Sequence, residues 1–201
     1  MNLVHIDFHV HTSERSSCAT ATQDEQIQAA IHSDLNAIAI TDHARLVPET
    51  ELARLNQVYA PFRILSGIEI NADGEDWLVI GMREKKLETE KWVYPQLHEF
   101  VMAKNAIIIL AHPFRFHPNI NVNLVQYPPH AVELRSNNIR VDLVPKIREL
   151  ALQHKLPTLC NSDSHNTSTI GQFYNIFDRA DWEDADVFEA IKLGLMTPSI
   201  T

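Results

Sequence analysis

The sequence predicts an α/β fold: a distorted (β/α)7 barrel with mainly parallel strands, in one domain over residues 1–201. Three observations support this. Strands and helices alternate along most of the chain, which is typical of a parallel sheet. Six of the seven main predicted strands end in a His, Asp or Glu, and β/α barrels gather their reactive side chains at strand ends. With 201 residues, the chain is too short for eight full units, which need about 250 residues.

The first predicted strand, residues 3–10, alternates between apolar and polar side chains. Its apolar positions end in Phe8 and Val10, and we expect them on one core-facing side. The other side carries His9 and, just beyond the strand, His11. Two histidines one residue apart on a strand point the same way, so they can bind one metal ion.

The next elements form a helix, a strand and a second helix. Residues 22–25, Thr-Gln-Asp-Glu, predict a capping box at the start of the first helix. The second strand, residues 37–40, is apolar and leads to His43. The second helix begins at Pro48 and runs to about Tyr59.

The third and fourth strands are close together in sequence. Residues 62–70 form the third strand, with Glu69 near its end, and residues 71–74 form a turn. The fourth strand, residues 77–80, follows too soon for a crossover helix, so we expect it to run antiparallel or at an edge.

The second half of the chain repeats the helix and strand pattern around a long loop. A helix near residues 93–101 precedes the fifth strand, residues 106–110, which leads to His112. Residues 112–130 are rich in proline and predict a long loop, and loops of this length are often functional. The remaining expected elements are a sixth strand at 131–134 with Glu133, a helix at 142–154, a seventh strand at 156–160 leading to Asp163 and His165, an extended piece at 173–177 and a final helix at 184–193.

Composition narrows the classes of function. The net charge of -9 argues against an extended nucleic-acid surface, which needs clustered Lys and Arg. A local anionic substrate stays possible, because bound metal ions reverse the field inside a pocket. Cys18 and Cys160 form neither a metal-type pair nor a disulfide framework, which fits a reducing cytosol. No transport signal is visible, and the longest apolar run, residues 106–111, is far shorter than the roughly 20 residues of a membrane span. We therefore expect a soluble cytoplasmic protein without a membrane partner.

The side chains at the predicted strand ends form a set of candidate metal ligands. Imidazole and carboxylate groups suit Zn, Mn or Fe, and they suit a polynuclear hydrolytic centre in which a carboxylate bridges two ions. Glu133 is open between two interpretations: a ligand or a residue that supports a ligand, or an ordinary polar residue of the barrel. The candidates are His9, His11, His43, Glu69, His112, Glu133, Asp163 and His165.

Five segments at these strand ends carry a family resemblance. They are Asp7-Phe8-His9-Val10-His11-Thr12, Thr41-Asp42-His43, Gly67-Ile68-Glu69-Ile70, Ala111-His112-Pro113 and Ser162-Asp163-Ser164-His165. In this order they resemble the PHP family, named for polymerase and histidinol phosphatase, over nearly the whole chain. The resemblance implies a distorted seven-stranded β/α barrel that holds up to three metal ions and usually hydrolyses phosphate esters.

The resemblance also implies how the ligands are shared. By analogy, the first ion is bound by His9, His11, Glu69 and Asp163. Glu69 bridges to a second ion, which His112 also binds. A third ion is bound by His43 and His165. The sequence departs from the family at two places. It has Ser16-Ser17-Cys18 where an acidic or histidine ligand often follows His11, and Trp77 where the fourth strand often begins with a histidine.

Arg115 resembles the arginine that some family members place near the substrate phosphate. A guanidinium is a permanently charged fork that matches phosphate oxygens. A surface ion pair is the alternative for Arg115, and the phosphate role is favoured over it. Arg15 and His117 are weaker candidates for the same pocket. Asp163, or a histidine free of metal, is the expected proton-transfer group.

The leading hypothesis is a metal-dependent phosphatase with two or three divalent ions that hydrolyses a small phosphomonoester by attack of an activated water. Its closest alternative is a phosphodiesterase or nuclease with the same ions. Another alternative is a catalytically degenerate metal-binding module with a structural or regulatory role, which the two missing ligands favour. A non-phosphate hydrolase rests only on the general likeness between such barrels and metal amidohydrolases.

Overall fold

The computed structural model describes residues 3–179 and 181–199. Its strands are β1 (Leu3–Val10), β2 (Ala37–Ile40), β3 (Arg63–Ala72), β4 (Glu75–Ile80), β5 (Ile107–Leu110), β6 (Ala131–Arg135), β7 (Thr158–Cys160), β8 (Asn175–Asp178) and β9 (Thr197–Pro198). Its helices are α1 (Gln23–His32), α2 (Glu49–Val58), α3 (Lys86–Thr89), α4 (Tyr94–Ala103), α5 (Val144–His154) and α6 (Asp184–Lys192), and a 3₁₀ turn at Val141–Leu143 precedes α5.

One sheet contains all nine strands in the order β7-β6-β5-β4-β3-β2-β1-β8-β9. The pairs from β1 to β3 and from β5 to β7 are parallel. Strand β4 is antiparallel to both neighbours, because its short connection from β3 leaves no room for a crossover. The predicted α/β class with a mainly parallel, barrel-like sheet is confirmed.

Most predicted elements lie within a few residues of their expected bounds. Thr22 and Glu25 form the predicted capping box of α1, and no helix or strand occurs between β5 and β6, where the long loop was expected. The seventh strand is shorter than predicted, while α3 and β9 were not anticipated. No helix of the described ranges has both the length and the apolar character needed to cross a membrane.

The barrel nearly closes between β1 and β7. The His11 backbone N–H donates to the Ser164 carbonyl at 2.8 Å, next to an isolated parallel bridge between Val10 and Ser164. Deeper in this seam, the buried Asn175 amide donates to the Cys160 carbonyl at 2.8 Å and accepts from the Cys160 N–H at 2.9 Å. At this junction, hydrogen bonds from side chains and from the strand ends therefore take the place of a continuous ladder of backbone hydrogen bonds between β1 and β7.

The barrel interior is apolar, and α6 covers one end of it. Val187, Ala190 and Ile191 of α6 pack with inward side chains of the strands. Two contacts place α6 near the strand beginnings: Arg63 at the start of β3 donates to Asp184 at 2.5 Å, and Lys192 donates to Asn105 before β5 at 2.7 Å. The carboxyl ends of the parallel strands lie at the opposite end.

A bulge in β1 changes which of its side chains face inward. The register with β2 shifts between Asp7 and Val10. Phe8 packs in the interior cluster, but Val10 packs outside with Ile27 and Ile40, so the prediction that both share one face was wrong. A bulge places two consecutive side chains opposite one residue and re-aims those that follow. It therefore turns the end of β1 toward the mouth of the barrel.

Candidate metal centre

The ends of four strands bring five predicted ligands into one buried cluster at the mouth of the barrel. His9 lies in β1 and His11 directly follows it, Glu69 lies in β3, His112 follows β5 and Asp163 follows β7. Each is at most 2% exposed. Such a concentration of polar side chains in the interior is unfavourable unless the groups are paired or bind an ion.

Four ligand atoms converge on one point. The Nε2 atoms of His9 and His11 are 3.0 Å apart. Glu69 Oε2 lies 3.5 Å from His9 Nε2 and 3.2 Å from His11 Nε2. Asp163 Oδ1 lies 3.4 and 3.3 Å from the same two nitrogens. Ligands bound at about 2.0–2.2 Å from an ion are separated from one another by about 2.8–3.6 Å, so these spacings fit a shared cation.

Two buried oxygens in this group accept no hydrogen bond. They are Glu69 Oε2 and Asp163 Oδ1, the atoms directed at the convergence point. Buried carboxylate oxygens normally accept hydrogen bonds or bind metal. The residues present therefore fit a divalent ion.

Each of the two β1 histidines is oriented from behind. His9 Nδ1 lies 3.1 Å from Glu133 Oε1, and His11 Nδ1 lies 3.3 Å from Ser16 Oγ. Because the Ser16 hydroxyl donates to Asp42 Oδ1 at 2.7 Å, its oxygen accepts from the His11 ring. Both rings thus carry the proton on Nδ1, and both Nε2 lone pairs face the convergence point.

Glu133 supports the cluster from behind His9 and does not join the ligand groups. Its Oε1 accepts from His9 and from the Asn161 amide at 2.9 Å, and its Oε2 accepts from the His112 backbone N–H at 2.9 Å. Both oxygens are thus used by protein donors. Among the roles left open for Glu133, this placement favours support of a ligand.

Arg15 lies in a structural network and not at the expected phosphate position. Its guanidinium donates to Asp42 at 2.8 Å, Thr12 at 2.9 Å and Gln23 at 2.8 Å, and its side chain is 12% exposed. These bonds hold the loop after His11, so the expectation that Arg15 faces substrate does not fit its placement.

A second group of ligand atoms includes a residue that sequence reasoning missed. Glu69 Oε1 lies 3.0 Å from His112 Nε2, and Asp76 Oδ2 lies 3.9 Å from the same nitrogen. Glu69, Asp76 and His112 together form a candidate binding group. Because β4 is antiparallel, its beginning lies at the rim beside the end of β3, and Asp76 pairs with Asn71 there. The predicted antiparallel strand was the signal that could have identified Asp76.

Trp77, at the position where a histidine is frequent in the family, is part of the core. It is fully buried and stacks on Tyr94 with ring centroids 3.7 Å apart. The acidic side chain one residue earlier occupies the rim instead.

A third group is more exposed. His11, His43 and His165 bring three ring nitrogens within 4.8 Å of one another. His43 Nδ1 also lies 3.0 Å from Glu69 Oε2, and its side chain is 47% exposed. His165 Nδ1 lies 3.0 Å from the Asp163 carbonyl. The other ring nitrogen of His165, Nε2, takes no part in that contact.

Of the other predicted substrate residues, Arg115 lies at the cluster and His117 lies away from it. Arg115 Nη1 is 3.4 Å from His112 Nε2 and 3.8 Å from Asp163 Oδ2, with 36% of the side chain exposed. His117 is exposed and lies against Gly74 in the turn between β3 and β4.

Two residues of the cluster have unusual backbone conformations. His112 has φ 23° and Asp163 has φ 50°, in the left-handed region that is rare for residues with a Cβ. Such strain persists where surrounding contacts fix the conformation, often at functional sites.

The cluster attracts positive charge. Burial alone would lower the pKa of His11, but the neighbouring carboxylates of Asp163 and Glu69 raise it to about 8. Burial alone would raise the pKa of Glu69, but His9, His11 and His112 hold that pKa well below its usual value. The pKa of Asp163 is lowered for the same reason: the charges of His9 and His11 outweigh burial. The carboxylates therefore stay ionised and favour a cation among them.

Comparisons with known proteins agree with this arrangement. The sequence matches the PHP domain family over residues 7–134 and a PHP-associated family over residues 145–195. A search among curated proteins found no match.

Three solved structures share the fold. PsfC from Pseudomonas syringae is 17% identical with a TM-score of 0.75, and the alignment covers 100% of this chain and 93% of that chain. A proposed metal-dependent phosphoesterase from Bifidobacterium adolescentis is 12% identical with a TM-score of 0.68, covering 92% and 94%. The lesion-specific endonuclease EndoQ from Pyrococcus furiosus is 18% identical with a TM-score of 0.71, covering 98% of this chain and 57% of that chain. Sequence match, fold and the gathered strand-end residues agree: the chain belongs to the PHP family.

Proposed function

We propose that this protein is a metal-dependent phosphoesterase that hydrolyses a small phosphomonoester. Family membership and the His, Asp and Glu groups support a metal-dependent hydrolase. The observation that carries the finer proposal is the position of Arg115, whose guanidinium borders both His112 and Asp163. A fixed positive charge beside a metal cluster suits a phosphate dianion, because its fork can bind two oxygens at once.

The proposed ligand assignment follows the groups of converging atoms. His9, His11, Glu69 and Asp163 would hold one ion. Glu69 would bridge to a second ion, held also by His112 and Asp76, and a third would use His43 and His165 with His11 beside them. Imidazole and carboxylate donors suit Zn, Mn or Fe. We also propose that residues 1–201 act as one PHP-like domain, since one sheet joins strands from both ends of the chain.

Bound divalent ions would supply Lewis-acid charge and make water more acidic. Arg115 would orient the phosphate and offset its charge. A water oxygen forms a bond to phosphorus, the bond from phosphorus to the ester oxygen breaks, and the proton released by the water goes to the departing alcohol. Asp163 has a lowered pKa, which suits an ionised ligand better than an acid. The predicted proton-transfer role for Asp163 is therefore the weaker of its two roles.

The proposal is tested by a phosphate-release panel on protein reconstituted with Mn or Zn. Phosphate release is measured for sugar phosphates, nucleotides and histidinol phosphate. Cleavage of a phosphodiester and of single-stranded DNA, which yields a phosphomonoester and no free phosphate, is followed separately by chromatography and by gel electrophoresis. We expect release from monoesters, and the His9→Ala variant should lose both bound metal and turnover. His32→Ala, which changes an exposed histidine on α1, is the matched control and should keep both.

The other outcomes identify the alternatives. Cleavage of the diester or DNA in preference to monoesters would indicate a diesterase or nuclease. Metal retention without turnover of any ester would indicate a degenerate binding module. Full activity of His9→Ala would refute the ligand assignment itself.

A further inference from the structure

A cavity of about 380 Å³ opens directly beside the candidate metal centre. Three of its lining residues, Arg115, Asp163 and His165, belong to the centre. The other five are Cys18, Asn137, Asn138, Asn166 and Thr169. Pockets for small ligands span about 300–1,000 Å³, so this one suits a small group.

The cavity wall is rich in side-chain amides whose orientation is fixed. Asn137 donates through Nδ2 to the Ser162 carbonyl at 2.6 Å, and Asn138 donates through Nδ2 to Asp163 Oδ2 at 2.5 Å. These bonds leave both amide oxygens as acceptors. Asn166 is held in the opposite sense, because its Oδ1 accepts from the N–H and hydroxyl of Ser168 at 3.0 and 2.5 Å. Its NH₂ group is left to donate.

The lining also indicates which ligands fit poorly. Arg115 is the only Arg or Lys among the lining residues, and they include no Phe, Tyr or Trp. A second phosphate would need further cationic partners. A nucleobase would normally stack on an aromatic side chain. An apolar group would cover oriented amides without offering them hydrogen-bond partners.

We propose that this cavity holds the leaving group of the substrate, and that the leaving group is a small neutral polyol or sugar. A hydroxyl both donates and accepts, so neighbouring hydroxyls can match the amide oxygens of Asn137 and Asn138 and the NH₂ of Asn166. Arg115 and the metal centre form one wall, so the phosphate lies at the centre while its ester group extends along the amides. This inference rests on the proposed phosphomonoesterase function and specifies its substrate class.

Cys18 provides a direct probe of the cavity. It is one of two cysteines; Cys18 is exposed and Cys160 is fully buried. Burial raises the pKa of the Cys160 thiol to about 12, so it contributes little thiolate to alkylation. Maleimide labelling of the native protein at mildly alkaline pH should therefore report on Cys18 alone.

The first test measures the rate of Cys18 labelling by mass spectrometry on metal-reconstituted protein. Excess sugar phosphate, glycerol phosphate, phenyl phosphate or inorganic phosphate is added at equal concentration. At four times its dissociation constant a ligand leaves about one fifth of sites free. We expect the polyol esters to slow labelling about fivefold, well beyond phenyl phosphate or inorganic phosphate. Equal slowing by all four, or slowing by none, would overturn the inference.

The second test compares selectivity in a conservative variant. The Thr169 hydroxyl donates within the loop, to Ser164 Oγ at 3.1 Å and the Asn166 carbonyl at 3.2 Å, so its oxygen is left to accept from a ligand hydroxyl. Thr169→Val removes that acceptor and keeps the side-chain shape. We expect the ratio of kcat/KM for sugar phosphate to that for phenyl phosphate to fall about three- to tenfold, the usual effect of one lost hydrogen bond. Thr89→Val, on the exposed face of α3, is the control and should leave the ratio unchanged.

The two tests separate the inference from the proposed function. If no ester releases phosphate, the proposed function fails. If esters release phosphate but the Thr169→Val ratio is unchanged and polyol esters give no special protection, only the inference about the leaving group fails.

Discussion

Replacing Glu133 by Gln tests how the metal centre is built, because Glu133 is fully buried and accepts from three donors. Its Oε1 faces His9 Nδ1 and the Asn161 amide, while its Oε2 faces the His112 N–H. A glutamine keeps the shape but has only one oxygen. Because both oxygen positions of Glu133 face donors, the NH₂ group of the glutamine must face a donor in either orientation of its amide.

The magnitude follows from counting those donors. If the NH₂ faces His112, one buried N–H loses its acceptor; if it faces His9, two donors do. The better orientation therefore leaves one unsatisfied donor, which costs about 1–3 kcal/mol of unfolding free energy. The loss of negative charge behind His9 also makes its Nε2 a weaker ligand. Supporting residues of this kind typically change metal affinity by about 10–100-fold.

Two measurements check this prediction: denaturant unfolding of the metal-free protein, and metal content with competitive chelator titration. We expect the Glu133→Gln variant to keep the wild-type number of ions per chain, with weaker affinity. Glu88→Gln is the control, since Glu88 is also largely buried and accepts the Leu46 N–H at 2.8 Å far from the centre. Loss of one ion per chain would show that Glu133 is itself a ligand. Unchanged affinity and stability would refute the reasoning about its hydrogen bonds.

Three further predictions address other parts of the structure. Asp76→Asn should reduce the number of bound ions by one, measured by elemental analysis, whereas Asp34→Asn at an exposed turn should not. Burial lowers the pKa of His130 from 6.5 to about 4. As the pH drops, His130 is therefore protonated in the unfolded chain at a higher pH than in the folded chain. The unfolding free energy of the metal-free protein should fall as the pH drops from 6.5 toward 4. His130→Asn, which can still accept the Ile108 N–H, should weaken that dependence, and an unchanged profile would contradict the assignment. Ile109→Ala, at a fully buried position of the barrel interior, should lower the unfolding free energy by about 2–5 kcal/mol in denaturant titration. A loss below about 1 kcal/mol would show that the interior collapses around the space left by the removed side chain.

The sequence predicted the parts of the site that follow from strand direction. Parallel strands end at the same edge, so His9, Glu69, His112 and Asp163 were expected to converge before any contact was known. Asp76 was missed because the same rule places an antiparallel strand's beginning, and not its end, at that edge. A rule that considers only where parallel strands end therefore does not reach Asp76.

The remaining differences arise from contacts between distant segments. The β1 bulge depends on pairing with β2, and alternation of side chains along one strand cannot reveal it. Arg15 was a reasonable phosphate candidate by charge, but the position of Asp42 decides its direction. Glu133 could be placed at the site from sequence, but its three hydrogen-bond donors come from segments far apart in the chain.

The distribution of hydrogen bonds in the cluster argues for an ion over a purely structural polar core. Groups that face away from the centre have protein partners: His9 has Glu133, and His11 has Ser16. The two buried oxygens that face the centre, on Glu69 and Asp163, have none. A structural cluster would gain stability by pairing these oxygens as well, because each unpaired buried acceptor costs free energy. Paired groups on the outside, combined with two unpaired acceptors directed at one shared inner point, form the pattern expected when a cation completes the set.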